Sequence, residues 1–374
     1  MKELTGVAVS ETRQELLTSL INFLLFFATQ LSLIFIPLLA VDLGGSDFEI
    51  GLVVSVYGAA FLFSSLFFGW KSDSLGRLGF IRYGLLITSV AFLAQSLAHN
   101  LLLLVISRSL VGLAMGVVTA ALLAYVFELI GHLGKFSSYG SLGWIFASLT
   151  AGLIKDYSLL FMTSFALCLV AFLFSLQLKE TTRQGKRVSP PLLAMLCRNF
   201  QVYLAIFLRH LGAQAVWVIL PLYMVWLGAD KFWIGVLWSI NFGVQFIVMR
   251  KIEKFDAGKI FAFGQVVSIL VFLAYALATH YRQLIIVQVL LGLSWSCLYV
   301  GALSIVLGSG EERGTASGIF QSTLNLCNAL GPFIGGAIAQ GWGYRGAMFF
   351  AVLIGLAGLF TSLPGKKKLS EKTL

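Results

Sequence analysis

The chain is 374 residues long, with 59% hydrophobic and 11% charged residues and a mean hydropathy of +0.92. That excludes a water-soluble domain, in which about a quarter of residues carry charge. The net charge of +10 sits in short turns between apolar runs, so it reads as membrane topology, and no nucleic-acid partner is expected.

Residues 1–15 are polar, with Glu3, Glu11 and Glu15 among them, and lack a small-residue cleavage site after a short apolar core. The expectation is that the chain keeps its own first helix. From Leu16 to Phe360 about twelve apolar runs of about 20 residues follow one another, each long enough to cross a bilayer as a helix. Alternation in segments of about 10 residues, the mark of a membrane barrel, is missing. The fold class expected is all-α: a polytopic membrane protein with twelve transmembrane helices in two pseudo-symmetric six-helix bundles.

The first span, about Leu16 to Ala40, carries Asn22, Phe26, Thr29 and Gln30 on one face. The second, about Glu49 to Gly69, enters a short basic turn, Gly69-Trp-Lys-Ser-Asp73-Ser-Leu-Gly76-Arg77, before the third, about Arg77 to Leu97. Glycines at 69 and 76 let two helix ends approach and supply φ > 0 where the chain reverses. The spacing Gly69-x-x-x-Asp73-x-x-Gly76-Arg77 resembles the signature of the loop between helices 2 and 3 in the major facilitator superfamily, departing from it at Ser74 and Leu78. The resemblance implies two six-helix halves around a central cavity bordered by helices 1, 4, 7 and 10. Gly69, Asp73, Gly76, Arg77 and Glu128 are candidate gating residues: Arg77 is expected to pair with Glu128, and Asp73 to face the start of the eleventh span near Thr315.

The fourth span, about Leu101 to Glu128, contains Arg108-x-x-x-Gly112-x-x-x-Gly116. An arginine eight residues deep lies about 12 Å below the surface of a ~30 Å hydrocarbon layer. It either braces the bundle by capping carbonyls or serves transport, and intramembrane ionisable groups are functional by default. The family associates an arginine in this pattern with substrate binding or proton transfer.

Spans five and six, about Phe136 to Ile154 and Leu159 to Leu178, lead to the longest polar segment, Lys179 to Asn199, with Pro190-Pro191 and five basic residues. The expected division is an N-terminal bundle (1–178), a cytoplasmic linker (179–199) and a C-terminal bundle (200–374). Sliding the second half onto the first by 184 residues lays Pro37–Ser55 on Pro221–Ser239 with nine of 19 identities, Pro37 on Pro221 among them. Parallel halves related about the membrane normal are an attested transporter architecture.

The seventh span presents His210, Gln214 and Trp217 at i, i+4 and i+7, with Arg209 rotated about 100° away. Similar stripes hold Trp238, Asn241 and Gln245 on the eighth span, Gln288, Trp295 and Tyr299 on the tenth, and Gln321, Asn325 and Asn328 on the eleventh. Each Asn or Gln either bonds helix to helix or lines a wet cavity. The candidate substrate-binding set is Asn22, Gln30, Arg108, Arg209, His210, Gln214, Trp217, Gln245, Trp295, Tyr299, Gln321 and Asn325. His210 is the deep group suited to titrate near neutrality. The Gly331-Pro332-Phe-Ile-Gly335-Gly336 run looks like a motif that exporters of the family place on helix 5, here displaced to the eleventh span.

Four cysteines and four histidines never take metal-ligand spacing, so no metal or cofactor is expected. No Gly-x-x-x-x-Gly-Lys-Ser/Thr loop is present, nor paired catalytic residues at depth, so the chain is not expected to be an enzyme. The expected function is secondary transport of a small organic solute by alternating access, with a positive midplane cavity favouring an anionic or a neutral polar or aromatic substrate. Proton-driven multidrug efflux is the alternative within the fold, and a non-transporting membrane receptor the alternative of another class. Twenty of the 26 basic residues fall on one side, against Lys155, Lys231, Arg282 and Arg345 on the other. The chain is therefore expected in the cell membrane, multi-pass, with both termini cytoplasmic, as a monomer in contact with lipid and with protons as the coupling ion.

Overall fold

The computed structural model describes residues 2–130, 134–180, 192–252, 254–310 and 313–362. Helices account for nearly all of them: α1 (Lys2–Leu33), α2 (Ile36–Asp42), α3 (Asp47–Leu75), α4 (Arg77–Gln95), α5 (Leu101–Ile130), α6 (Gly134–Ile154), α7 (Tyr157–Ser175), α8 (Leu192–Arg198), α9 (Phe200–Trp226), α10 (Lys231–Ile252), α11 (Ala257–Leu277), α12 (Leu284–Gly308) and α13 (Arg313–Ser362). Among the described residues ten helices are long and apolar enough to cross a membrane. One of them, α13, has 50 residues and would be about 75 Å long if straight, twice what a bilayer needs. It turns back at Gly343 (φ 70°, ψ 174°) and supplies two spans. With α6 the total is twelve. Most of the linker, residues 181–191, lies outside the described residues.

The end of the molecule at which α1 starts is here termed proximal, the opposite end distal. Pro37 and Pro221, paired by the internal repeat, behave differently. Pro37 opens α2 after a break at residues 34–35, while Pro221 lies inside an unbroken α9. A proline lacks an N–H and disfavours the helical turn before it, and only the first copy yields. The following turns agree closely: Gly44 (φ 84°) and Gly228 (φ 91°) both take the left-handed conformation that lets the chain reverse. The next helices are capped by Ser46, which accepts from the Glu49 N–H, and by Asp230, which accepts from the Trp233 N–H.

The halves meet in two seams. A Cβ on Gly51 of α3 would overlap the Pro332 carbonyl and the backbone of Gly336 on α13, and one on Gly235 of α10 would overlap the Ser148 carbonyl and the backbone of Gly152 on α6. All three pairs, 51 with 235, 148 with 332 and 152 with 336, obey the 184-residue repeat. The seams are therefore one contact used twice, about a pseudo-twofold axis. Close approach without side chains between them is what small residues provide in a bilayer.

Candidate functional site

The fourth membrane span, α5, is drawn onto α3 by Gly112 and Gly116, at which a Cβ would collide with the α3 backbone near Tyr57 and Phe61. That contact seats the Tyr57 ring against the Arg108 guanidinium, Cζ 4.3 Å from the ring centroid. Arg108 is 1% exposed. Its Nε and Nη2 have no partner in the protein, and among the described residues no Asp or Glu is buried. A desolvated cation–π contact is worth about 2 kcal/mol, but it satisfies none of the guanidinium's N–H groups.

Around α9 the structure gathers much of the expected set. His210, 3% exposed, stacks on Trp295 of α12 at 4.8 Å and meets Trp217 edge-on at 5.4 Å. Its Nε2 lies 3.3 Å from Gln214 Nε2, and Gln214 donates to Asn328 Oδ1 on α13. Trp295 continues to Tyr299 at 5.6 Å, and Tyr299 accepts from Gln321 Nε2 at 2.9 Å. Asn325 is half-buried one turn before Asn328. The cluster reaches the other half where the Asn328 carbonyl packs on Gly58, the residue after Tyr57. Arg108 and His210 therefore flank the same seam.

Other expected residues lie elsewhere. Asn22 donates to the Phe136 carbonyl at 2.8 Å and ties α1 to the start of α6. Gln245 donates to Asn241 Oδ1 at 2.6 Å, and Asn241 to the Gln288 carbonyl at 3.3 Å, a brace between α10 and α12. Gln30 is buried on α1 just before its break. Arg209 turns from His210 toward α11, where its Nε donates to Ser268 Oγ at 2.6 Å. Sequence reasoning missed Tyr57, Ser268 and an aromatic bridge between the halves, in which Trp144 of α6 contacts Phe26 at 5.4 Å and Phe242 of α10 at 5.2 Å. Arg108 and Gly112 at i, i+4 pointed to a helix pressed on α5 at the level of the arginine, although nothing local named the tyrosine.

At the proximal turn Gly76, with φ 98°, is the single residue between α3 and α4 and lets the chain turn there. Gly69 instead lies within α3, with Ala120 of α5 beside it. Arg77 Nη2 bonds Glu128 Oε1 at 2.9 Å, and its Nη1 donates to Ser72 Oγ at 2.8 Å. The side chains of Asp73 and Thr315 lie outside the described residues. At the distal end Lys155 Nζ pairs with Asp230 Oδ2 at 2.8 Å across the halves, and Lys231 donates to the Lys155 carbonyl at 2.9 Å while lying 3.7 Å from the Tyr157 ring centroid. Lys155 and the Trp233 N–H hold the Asp230 carboxyl below the usual carboxylate range. The central arrangement offers unsatisfied N–H donors and aromatic faces at one level of the molecule.

Comparison with known proteins agrees with this architecture. The chain is 23% identical over 383 residues to the quinolone resistance protein NorA of Staphylococcus aureus (strain MSSA476), covering 94% of this chain and 97% of that protein. It is 25% identical over 407 residues to the multidrug resistance protein MdtG of Salmonella typhimurium, covering 99% and 98%. The crystal structure of the nucleoside transporter NupG superposes with a TM-score of 0.76 at 17% identity, covering 93% of this chain and 98% of that one. The human organic anion transporter MFSD10 does so with 0.73 at 17%, covering 94% and 99%. A sequence model of the Major Facilitator Superfamily matches residues 18–249 and 202–373. Motif, two-bundle fold and family match thus coincide over nearly the whole length, and the chain belongs to the Major Facilitator Superfamily, as a multi-pass membrane transporter and not an enzyme.

Proposed function

We propose that the chain is a secondary active transporter of a small organic solute, working by alternating access, with its substrate seat at the seam between Arg108 and Tyr57 on one side and His210, Gln214, Trp217, Trp295 and Asn328 on the other. The observation that carries this reading is Arg108: a buried guanidinium with free N–H groups, on an aromatic ring, with no buried carboxylate among the described residues to neutralise it. A fixed positive charge in low dielectric attracts an acceptor group and penalises a cation. The preferred substrate is an anion with a planar or aromatic body, which the stacked rings would hold. Protons are the coupling ion, and both termini face the cytoplasm.

Export of hydrophobic drugs is the second reading, favoured by the resistance proteins NorA and MdtG among the relatives and by the run of rings from Trp217 through Trp295 to Tyr299. The two are separated by transport and counterflow in proteoliposomes with anionic, neutral and cationic aromatic solutes. On the first reading anions are carried best, and Arg108→Gln lowers their transport by at least about tenfold, the loss expected for about 1.4 kcal/mol of transition-state binding. Cations carried best, and unaffected by Arg108→Gln, would establish the second.

A further inference from the structure

Arg209 is the other deep cation, and its surroundings differ from those of Arg108. It is 0% exposed and enclosed by three helices of its own bundle. Ser268 accepts from Nε at 2.6 Å, Phe272 of α11 and Trp295 of α12 lie 5.5 and 5.3 Å from Cζ, and Cys327 of α13 lies within the field of the guanidinium. Nη1 and Nη2 have no partner in the protein. One turn before Ser268, on the same face of α11, Gln265 is also 0% exposed, with both amide atoms unpartnered. Ser268, having accepted from the arginine, retains its own O–H to donate.

We propose that the C-terminal bundle holds a small monovalent inorganic anion, of halide size, on the Nη edge of Arg209 with Ser268 and Gln265. Every group named can donate there, and the guanidinium cannot be deprotonated, so the charge is balanced only by an anion. A divalent ion would leave one uncompensated negative charge in a low-dielectric interior, and the complete burial of Arg209 and Gln265 limits the ligand to a small ion. The site shares the Trp295 ring with the substrate seat but lies apart from His210, on the α11 side. Gln214 and His210 reach the seam with α3, which must open during transport, whereas α9, α11 and α12 belong to one bundle, so the anion is retained through the cycle and fixes α11 to α9.

The test needs no transport measurement, so its outcome is independent of the substrate reading. The purified full-length protein is unfolded thermally in detergent at constant ionic strength while chloride or bromide replaces gluconate. A ligand that binds the folded state raises Tm saturably with its concentration. The wild type is expected to gain several degrees. Arg209→Gln should abolish that response, Ser268→Ala and Gln265→Leu should each move its midpoint about tenfold or more toward higher halide, and Gly243→Ala, where an added Cβ meets nothing within 4 Å, should leave the midpoint unchanged. Identical Tm in halide and gluconate for the wild type overturns the proposal and leaves Arg209 as a packing brace. If Arg209→Gln does not fold, the other two variants decide: an unaltered midpoint in both overturns the assignment, and a shifted one supports it.

Discussion

Tyr57 shows how much of the site rests on single contacts. Its ring is the only side chain that the structure records against the Arg108 guanidinium among the described residues, and it lies beside the glycine on which the opposite half packs. Tyr57→Leu removes the ring while keeping an apolar side chain, and Tyr57→Phe keeps the ring. The leucine variant is expected to lose about 1–2 kcal/mol of the arginine's orientation, seen as a roughly five- to thirtyfold fall in transport efficiency, with the phenylalanine variant within about twofold of wild type. Equal losses in the two would move the role from the ring to the hydroxyl. The Lys155–Asp230 pair is different in kind. Both side chains are about half exposed, 47% and 55%, so a double-mutant cycle should give a coupling of about 0.2–1 kcal/mol. The lowered carboxyl value makes this contribution present above the ordinary aspartate value of about 3.9 and lost only as the pH falls through the lower value in the paired state. Distal closure, followed by labelling of a cysteine placed at Phe232, should therefore be flat in pH between about 5 and 8.

Among the helices, α13 carries the greatest load, since its Gly331-Pro332-Phe-Ile-Gly335-Gly336 run faces two neighbours at once. A Cβ at Gly331 or Gly335 would collide with α9 at Gln214 and Ala215, and one at Gly336 with α3 at Asp47 and Gly51. Proline is tolerated here because neighbouring helices re-satisfy freed backbone groups in a membrane. Gly336→Val should wedge the distal seam. Expression is expected to remain near normal, transport to fall more than about tenfold, and cysteines at Ser148 and Ser239, across the other seam, to become more reactive if the halves move as rigid bodies. Gly243 on α10 is the control, because a Cβ there meets nothing within 4 Å. Gly243→Ala should be neutral or stabilise by up to about 1 kcal/mol, the helical preference for alanine. Measured loss of transport in Gly243→Ala would mean that α10 must flex, and would weaken the rigid-body account.

For the molecule as a whole, the two seams share a 184-residue repeat, and on the proposed alternating-access cycle one bundle is expected to tilt against the other. In this structure the glycine contacts between α3 and α13 run from Gly51 to Gly58 in the distal half, whereas toward the proximal end Gly69 meets only its own bundle and Gly318 meets nothing within 4 Å. The distal end is fastened across the halves by Lys155, Asp230 and Lys231, and at the proximal end Arg250 Nη2 donates to Ser138 Oγ at 3.2 Å between α10 and α6. Cysteines replacing Lys155 and Asp230, after removal of the free cysteines 168, 197, 297 and 327, are expected to cross-link readily, to stop transport when oxidised, and to restore it on reduction. Single cysteines at Lys186 and Lys231 should label from opposite faces of the membrane. Labelling from the same face would contradict the twelve-span topology.

Apolar runs of bilayer length, the basic turn from Gly69 to Arg77 and the Pro37–Pro221 repeat were enough to read an all-α transporter of two halves, because hydrocarbon permits few backbone solutions and those solutions are local in sequence. Arg108, His210 and Gln214 could be picked out for the same reason: a polar group at depth is costly wherever the helix turns. Their partners could not. Tyr57 under Arg108, Ser268 against Arg209, and Asn22 spent on the Phe136 carbonyl depend on which face of one helix meets which face of another, and 100° of rotation per residue exchanges one partner for the next. Composition says nothing about that rotation. It is set by glycines such as Gly51, Gly112, Gly235 and Gly336, whose meaning appears only when the backbone they admit is in place, so the tertiary structure alone decided which polar residues line the seam and which brace a bundle.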